Sequence, residues 1–260
     1  MAPEPVLWLV LPCFNEAARL PAQAIEQAVA ARPWLHLVFV DDGSTDGTGE
    51  VLAALIARLP PGRARLLSQP QNRGKGEAVR LGLIEALSAG GAELVGYWDA
   101  DLSAPLDELE GMIAAMGEGA DLVLGSRVMV LGAQIERRLV RHLGGRGVAT
   151  LISVLLGLPV YDTQCGAKLL RVEPSLGELL ARPFRSRWLF DVELLARWLR
   201  RHPGQEHRLR ERPLSRWRHT PGSKLRASDA LAAPAELLRI ARAEGLLWQD
   251  SRGASRLRRG

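Results

Sequence analysis

The chain has 260 residues, 47% of them hydrophobic and 24% charged, so it can bury a full core and has the composition of a globular protein. No apolar run approaches the roughly 20 residues of a membrane-spanning helix, and the N-terminus lacks the basic start of a signal peptide. The formal net charge is +5, and the two cysteines show no metal-binding spacing. These features predict a cytoplasmic protein in a reducing compartment.

Arginine supplies nearly all of the basic charge, because only Lys75, Lys168 and Lys224 among the 34 basic residues are lysines. The basic residues concentrate in the second half of the chain, which favours a phosphate-bearing partner or an anionic membrane surface. No nucleic-acid-binding motif accompanies them, so we expect no nucleic-acid partner.

The first 125 residues alternate predicted strands with predicted helices. Strands are expected at 6–11, 36–40, 65–67, 93–98 and 122–124. Helices are expected around residues 20–29, from a cap at Thr48, over residues 77–87, and from a cap at Ser103. This alternation predicts an α/β fold with a doubly wound, mostly parallel sheet and helices on both faces. Polar clusters follow the five strands, where such sheets bind ligands.

One of these clusters contains two acidic residues, Asp99 and Asp101. In an extended chain, residues i and i+2 point to the same side, so the two carboxylates would repel each other unless a cation lay between them. A hard divalent ion with oxygen ligands suits that position. The alternatives are a solvated acidic loop or a set of salt bridges, and the four other polar loops favour the ion site.

The second half departs from this regular alternation. Residues 148–161 form an apolar segment that is too short to span a bilayer, and it is either a core helix or an interfacial helix. An interfacial helix would make peripheral contact with an anionic membrane through the arginines that precede it: Arg137, Arg138, Arg141 and Arg146. Residues 251–260 are rich in Arg, Gly and Ser and are expected to form a flexible tail.

Eight motifs occur in the order typical of inverting family 2 glycosyltransferases, and the chain resembles this family over about residues 6–226. The motifs are LPCFNE, VDDGSTDGT, NRGKGEAVRLG, DADLSAP, GSR, DTQCGAKLLR, RWLFDVELLAR and PGSKL. The last three resemble the dolichyl-phosphate glucosyltransferase branch, which is related to the mannose synthases. The resemblance implies a GT-A fold, with a nucleotide-sugar-binding half at 1–128 and an acceptor-binding half of the same domain at 129–250.

The implied reaction is transfer of glucose from UDP-glucose to a polyprenyl phosphate with inversion. The alternatives are transfer from GDP-mannose and a soluble acceptor. The resemblance implies that Asp99 and Asp101 hold Mg²⁺ or Mn²⁺, with Ser103 as a weaker ligand. It also implies nucleotide-sugar contacts from Pro12, Phe14, Glu16, Asp41, Asp42, Lys75, Asp99, Ala100, Asp101 and Arg127. Helix capping is a competing role for Asn15 and Asp46.

The candidate catalytic residues are Asp101, Asp191, Arg218 and Lys224. A polyprenyl phosphate is already an anion near neutral pH, so it can attack the sugar C1 without a general base. Arg127, Arg218 and Lys224 would clamp phosphates, and surface solvation is their alternative role. Asp191 and Glu193 would act as a base or orient the sugar, or they are polar groups on a helix face.

Two other classes of protein compete with a glycosyltransferase. A sugar-phosphate nucleotidylyltransferase needs a Gly-rich loop after the first strand, and the corresponding loop, PCFNEAARLP, has no glycine. A noncatalytic sugar-nucleotide or lipid-phosphate binding module does not need both the acidic and the basic clusters. Release of UDP in the presence of metal and lipid phosphate would separate the enzyme from the binding module.

Overall fold

The computed structural model describes residues 4–135, 139–218 and 227–246. Strands in these ranges form a main sheet and a small two-stranded sheet. The strands are β1 (Leu7–Cys13), β2 (Leu35–Asp41), β3 (Ala64–Ser68), β4 (Leu94–Trp98), β5 (Leu122–Ser126), β6 (Gln134–Ile135), β7 (Ala167–Arg171), β8 (Leu209–Pro213) and β9 (Arg216–Trp217). The main sheet has the order β3-β2-β1-β4-β7-β5-β8, and β6 pairs with β9.

Helices cover both faces of the main sheet. They are α1 (Ala22–Ala31), α2 (Thr48–Arg58), α3 (Lys75–Ser88), α4 (Leu109–Gly117), α5 (Leu139–Leu156), α6 (Pro174–Leu180), α7 (Phe190–Arg201) and α8 (Ala227–Ala243). Alternate residues of each strand belong to two separate apolar clusters, because successive side chains of a strand point to opposite faces of the sheet. One cluster packs against α1, α2 and α4, and the other against α3 and α5–α8. The predicted doubly wound α/β architecture is confirmed.

The direction of the strands decides where the polar loops lie. β1 runs parallel to β2 and β4, and β2 parallel to β3. β7 is antiparallel to both β4 and β5, so β5 has the same direction as β4. The carboxyl ends of β1–β5 therefore lie at one edge of the sheet, as predicted. β7 was not predicted, and its amino end starts at this same edge.

Two predicted helix caps are wrong. Helix α2 does begin at Thr48, but its cap position is Gly47, and the Asp46 carboxylate accepts the Thr48 N–H at 3.1 Å. Ser103 is not the cap of the helical segments that follow it, because their cap positions are Pro105 and Glu108. The Ser103 N–H donates to Asp101 Oδ1 at 2.9 Å. The chain then forms a 3-10 turn over Leu106–Glu108 before α4 begins.

The apolar segment at 148–161 is buried on one side, which supports its interpretation as a core helix, and its contact with a bilayer stays a prediction. Ile152, Leu156 and Leu158 are buried in the core, whereas Val154 is 75% exposed. α5 ends at Leu156, and Gly157 follows with a φ of +63°. Arg137, Arg138 and residues 251–260 lie outside the described residues, as do the side chains of Arg141 and Arg146. None of the helices in the described ranges is long and apolar enough to cross a bilayer.

Candidate active site

Asp99 and Asp101 lie on a tight turn directly after β4, which corrects the predicted extended geometry. The Leu102 N–H closes the turn by donating to the Asp99 carbonyl at 3.0 Å, and Leu102 has a φ of +47°. The Asp99 N–H donates to the Gly166 carbonyl at 2.9 Å, which joins the turn to the loop before β7. A side chain at position 166 would place its Cβ 2.0 Å from Asp99 Oδ2, so only glycine leaves room for this carboxylate.

Lys75 is the cation nearest to the acidic turn among the described contacts. Its Nζ lies 2.5 Å from Asp99 Oδ1, and it is the first residue of α3. Burial alone would lower the pKa of Lys75, but the neighbouring carboxylates of Asp99 and Asp191 outweigh this and raise it. Lys75 therefore carries its positive charge at neutral pH. The sequence placed Lys75 beside the nucleotide but did not predict its partner.

Asp101 is the second carboxylate of the turn and, like Asp99, is half-buried. Burial and the negative charge of Asp99 raise its pKa, and hydrogen bonds from Ser103 partly oppose this rise. Arg19 lies close enough for Asp101 to raise the arginine pKa, although its main partner is Glu16. The predicted proximity of Asp99 and Asp101 is thus present, on a turn instead of an extended strand.

The loops after β1, β2 and β3 hold one another in place. Asp42 accepts the N–H groups of Arg73 and Gly74, both at 2.8 Å, so its buried carboxylate fixes the loop before α3. Burial raises the pKa of Asp42, and these two N–H groups oppose the rise. Asp41 accepts the Ser44 N–H at 3.0 Å. Their predicted contacts with a nucleotide stay predictions.

Residues of the first loop lie at the same edge. Pro12 and Phe14 are half-buried, whereas Glu16 is buried and pairs with Arg19. The Glu16 N–H donates to the Thr48 hydroxyl at 2.8 Å, and Asn15 Oδ1 accepts the Thr45 N–H at 2.9 Å. The proposed capping role of Asn15 is therefore replaced by a link between the first and second loops.

Arg127, which follows β5, forms a two-pronged ion pair with Asp162. Its Nε and Nη2 lie 2.7 and 2.8 Å from the two carboxylate oxygens, and its guanidinium lies 5.5 Å from the centroid of the Trp217 ring. Burial would lower the pKa of Arg127, but Asp162 raises it overall. Glu211 in turn accepts the N–H groups of Tyr161 and Asp162, both at 2.7 Å. The sequence did not predict this partner for Arg127.

The two acidic residues at the start of α7 have different surroundings. Asp191 Oδ1 lies 2.6 Å from Lys168 Nζ and also accepts a hydrogen bond from the Tyr97 hydroxyl. Glu193 pairs with Arg197 at 2.6 Å and accepts the Arg185 N–H at 2.7 Å. Glu193 thus holds α7 against the preceding loop. Asp191 faces the strand that leads into the acidic turn, and its catalytic role stays a prediction.

The predicted phosphate-binding residues of the second half are only partly described. The exposed Arg218 lies beside the acidic turn, because its N–H donates to the Ser103 carbonyl at 2.8 Å. Glu108 supports this segment by accepting the N–H groups of Ser215 and Arg216 at 2.8 and 2.9 Å. No sequence signal singled out Glu108 for this role. Lys224 lies outside the described residues.

The donor atoms at the turn fit a hard divalent cation. Asp99 and Asp101 supply carboxylate oxygens, and Ser103 supplies a hydroxyl, which are the ligand types that Mg²⁺ and Mn²⁺ prefer. Residues 4–135, 139–218 and 227–246 contain no group of three or more His, Cys, Asp or Glu side chains placed to hold a metal. The turn could therefore hold a metal together with oxygens of a bound diphosphate, which is the usual arrangement for Mg²⁺.

Solved structures share this fold and define its class. Glucosyl-3-phosphoglycerate synthase from Mycobacterium tuberculosis, in complex with Mn²⁺, UDP-glucose and phosphoglyceric acid, matches with a TM-score of 0.62 at 22% identity. The match covers 95% of this chain and 81% of that one. The predicted GT-A fold is confirmed. Residues 8–175 match the sequence model of the family described as "Glycosyl transferase family 2". The chain belongs to this family of enzymes.

Curated relatives agree with this assignment. A dolichyl-phosphate beta-glucosyltransferase of Trichomonas vaginalis is 30% identical over 248 residues, which cover 89% of this chain and 69% of that protein. A polyprenol monophosphomannose synthase of Mycolicibacterium smegmatis is 33% identical over 165 residues, which cover 64% of this chain and 61% of that protein. The predicted resemblance to both branches is confirmed.

Proposed function

We propose that the protein transfers a glucosyl group from UDP-glucose to a polyprenyl phosphate, with inversion at C1. The observation that carries the proposal is the meeting of Asp99, Asp101 and Lys75 at one sheet edge, with Arg127 and Arg218 on the neighbouring loops. Similarity to the dolichyl-phosphate beta-glucosyltransferase favours this donor and acceptor. Both substrates are anionic phosphates, which suits an edge with one acidic turn and several cations.

Asp99 and Asp101 would hold Mg²⁺ or Mn²⁺, with Ser103 next to them. A metal bound there neutralises charge on the diphosphate leaving group as the glycosyl bond breaks. The Mn²⁺ complex of the glucosyl-3-phosphoglycerate synthase supports a divalent ion in this fold.

Apart from binding the metal, the protein would act mainly by positioning the two substrates. The acceptor phosphate needs no general base, so the protein has to bring two negatively charged groups within reach of each other. Lys75 lies on the donor side beside Asp99, and the exposed Arg218 lies beside Ser103. Arg127 uses Nε and Nη2 for Asp162, and its remaining N–H groups would donate to a phosphate. Asp191 would orient the sugar.

Transfer of radiolabelled sugar to a polyprenyl phosphate tests the proposal directly. Purified protein is incubated with UDP-glucose, GDP-mannose or UDP-N-acetylglucosamine, with Mg²⁺ or Mn²⁺ and with excess EDTA in matched reactions. We expect a lipid-linked product from UDP-glucose that EDTA prevents. Full activity in excess EDTA would exclude the metal role. UDP release without a lipid-linked product would mean that the sugar is transferred to water, and it would reject polyprenyl phosphate as the acceptor.

Mannosyl transfer is the second candidate function. Similarity to the polyprenol monophosphomannose synthase favours it, because that protein is as similar in sequence, although over a shorter stretch. Preferential binding and turnover of GDP-mannose in the same assay would establish it in place of glucosyl transfer.

A further inference from the structure

Lys168 is a charged residue in the centre of the main sheet. Its side chain is fully buried, and in the register of the sheet it lies between Tyr97 of β4 and Leu124 of β5. The ammonium group donates to the Cys165 carbonyl at 2.6 Å and pairs with Asp191 Oδ1 at 2.6 Å. It also lies 5.1 Å from the centroid of the Tyr97 ring. Each of these partners belongs to a different element of the fold.

Asp191 is held by two donors at the same oxygen. The Tyr97 hydroxyl donates to Oδ1, and Lys168 approaches Oδ1 as well. Burial and the nearby Asp191 charge raise the pKa of Tyr97 well above its ordinary value, so the hydroxyl keeps its proton and remains a donor. Oδ1 of Asp191 is thus held by both the Tyr97 hydroxyl and the Lys168 ammonium group.

The charges alternate in sign from the core to the acidic turn. Lys168 pairs with Asp191, whose negative charge raises the pKa of Lys75, and Lys75 pairs with Asp99 at 2.5 Å. Phe190, the residue before Asp191, has its ring centroid 6.0 Å from Lys75 Nζ and 5.6 Å from that of Tyr97. The amino end of α7 therefore lies directly behind the donor side of the site.

Stability does not account for this arrangement. Transferring two charges from water to the protein interior costs several kcal/mol per ion, and a well-packed apolar pair of similar volume is often as stable or more stable. Lys168 and Asp191 are almost completely buried, so their pairing only offsets a cost that apolar residues would avoid. A role in holding a group at the site explains why charges are present there.

We propose that Lys168 is a positioning residue of the transfer site, which holds the Asp191 carboxylate beside Lys75 and so fixes both groups against the donor sugar. The inference rests on the proposed function, because it assigns Asp191 to the sugar. Lys168 itself is fully buried and acts only through Asp191.

The test compares Lys168→Met with the double variant Lys168→Met/Asp191→Asn. Lys168→Met leaves a buried carboxylate without its cation, so both the melting temperature and kcat should fall. We expect kcat to fall roughly 10- to 100-fold, since small displacements of positioning groups cost this much. Calorimetric affinity for UDP should stay within about twofold, because UDP lacks the sugar. The double variant should regain melting temperature but not kcat.

Arg197→Met is the matched control, because it also removes a buried cation from a carboxylate of α7, Glu193. We expect it to lower the melting temperature without lowering kcat per folded molecule. If Arg197→Met does not fold, the double variant still decides the question. Recovery of kcat in the double variant, or an unchanged kcat in Lys168→Met, would overturn the proposal.

A failure of the proposed function gives a different result. If the wild-type protein transfers no sugar to polyprenyl phosphate, calorimetry still compares UDP-glucose with UDP, or GDP-mannose with GDP if that donor binds. The proposal then expects Lys168→Met to weaken binding of the sugar nucleotide while binding of the free diphosphate is unchanged. Equal changes for the two ligands, or no change for either, would reject the positioning role.

Discussion

At the scale of single residues, the proposed metal-binding role of Asp101 conflicts with stability. Its carboxylate is half-buried beside Asp99, and both burial and the like charge raise its pKa. A carboxylate whose folded pKa lies above its unfolded value binds its proton more tightly in the folded state. Its contribution to stability is therefore greatest at low pH and is lost as the pH rises through the folded pKa.

We therefore expect Asp101→Asn to be at least as stable as the wild-type protein at neutral pH. The same variant should lose transfer activity by roughly 100-fold or more, because an amide oxygen is a poorer ligand for a divalent ion. Thermal unfolding at pH 7 and the lipid-transfer assay measure the two effects. Asp101→Ala should likewise abolish transfer and leave the fold intact.

Asp46→Asn is a control, because we expect it to change stability at neutral pH in the opposite direction. Hydrogen bonds from Thr48 and Ala17 outweigh the effect of burial and lower the pKa of Asp46, so its ionised form stabilises the folded state at neutral pH. This variant should lower the melting temperature. A less stable Asp101→Asn, or one that keeps its activity, would contradict the interpretation of the acidic turn.

At the scale of elements, packing decides what a glycine does in a helix. Gly82 lies within α3, where an added Cβ would come 2.3 Å from Val10 Cγ1 and 2.9 Å from Val40 Cγ2. Gly147 lies within α5, where an added Cβ would meet no atom within 4 Å. Alanine has a higher helix propensity than glycine at both positions. Of the two glycines, only Gly82 lets its helix approach the sheet closely.

Alanine at these two glycines should therefore change stability in opposite directions. We expect Gly82→Ala to lower the free energy of unfolding by about 1–3 kcal/mol, because it overpacks α3 against β1 and β2. Gly147→Ala should raise it by about 0.5–1 kcal/mol. Urea denaturation of the two variants measures both values. A stabilised Gly82→Ala would show that α3 is less tightly packed than the structure describes.

At the scale of the whole molecule, apolar side chains are exposed next to the sheet edge at which the polar loops meet. Met129, Val130 and Leu131 follow Arg127 at the carboxyl end of β5, and Leu131 is fully exposed. An apolar turn beside cations suits contact with a bilayer whose lipid phosphates lie at the surface. A polyprenyl phosphate would present its own phosphate at this depth.

Sedimentation with liposomes tests this peripheral contact. We expect the protein to bind vesicles containing anionic lipid at low salt, and less so at high salt, because these interactions are screened. Each arginine near the surface contributes about 1 kcal/mol. Leu131→Glu should weaken binding without lowering the melting temperature, and Ile84→Glu is a control at another partly exposed apolar position. Negligible binding under all conditions would favour a soluble acceptor.

The sequence by itself determined the strands at the polar loops and the edge at which these loops meet. Apolar runs and the polar clusters after them are local signals, and the direction of parallel strands then brings their carboxyl ends together. The rarity of lysine sets Lys168 apart in the sequence, together with Lys75 and Lys224, but it indicates no role for Lys168. The two predicted helix caps were wrong because Gly47 is the cap position of α2, and a 3-10 turn that starts after Pro105 separates Ser103 from α4.

Only the tertiary structure decided which charges face each other. Lys75 and Asp99 are separated by 24 residues, and Tyr97 and Asp191 by 94. The antiparallel course of β7 places Lys168 opposite Tyr97, and the loop before β7 brings Gly166 to the acidic turn. The sequence around β7 does not predict its position or its direction. The side chains of β7 are buried on both faces of the sheet, so packing against the helices on each side places this strand between β4 and β5.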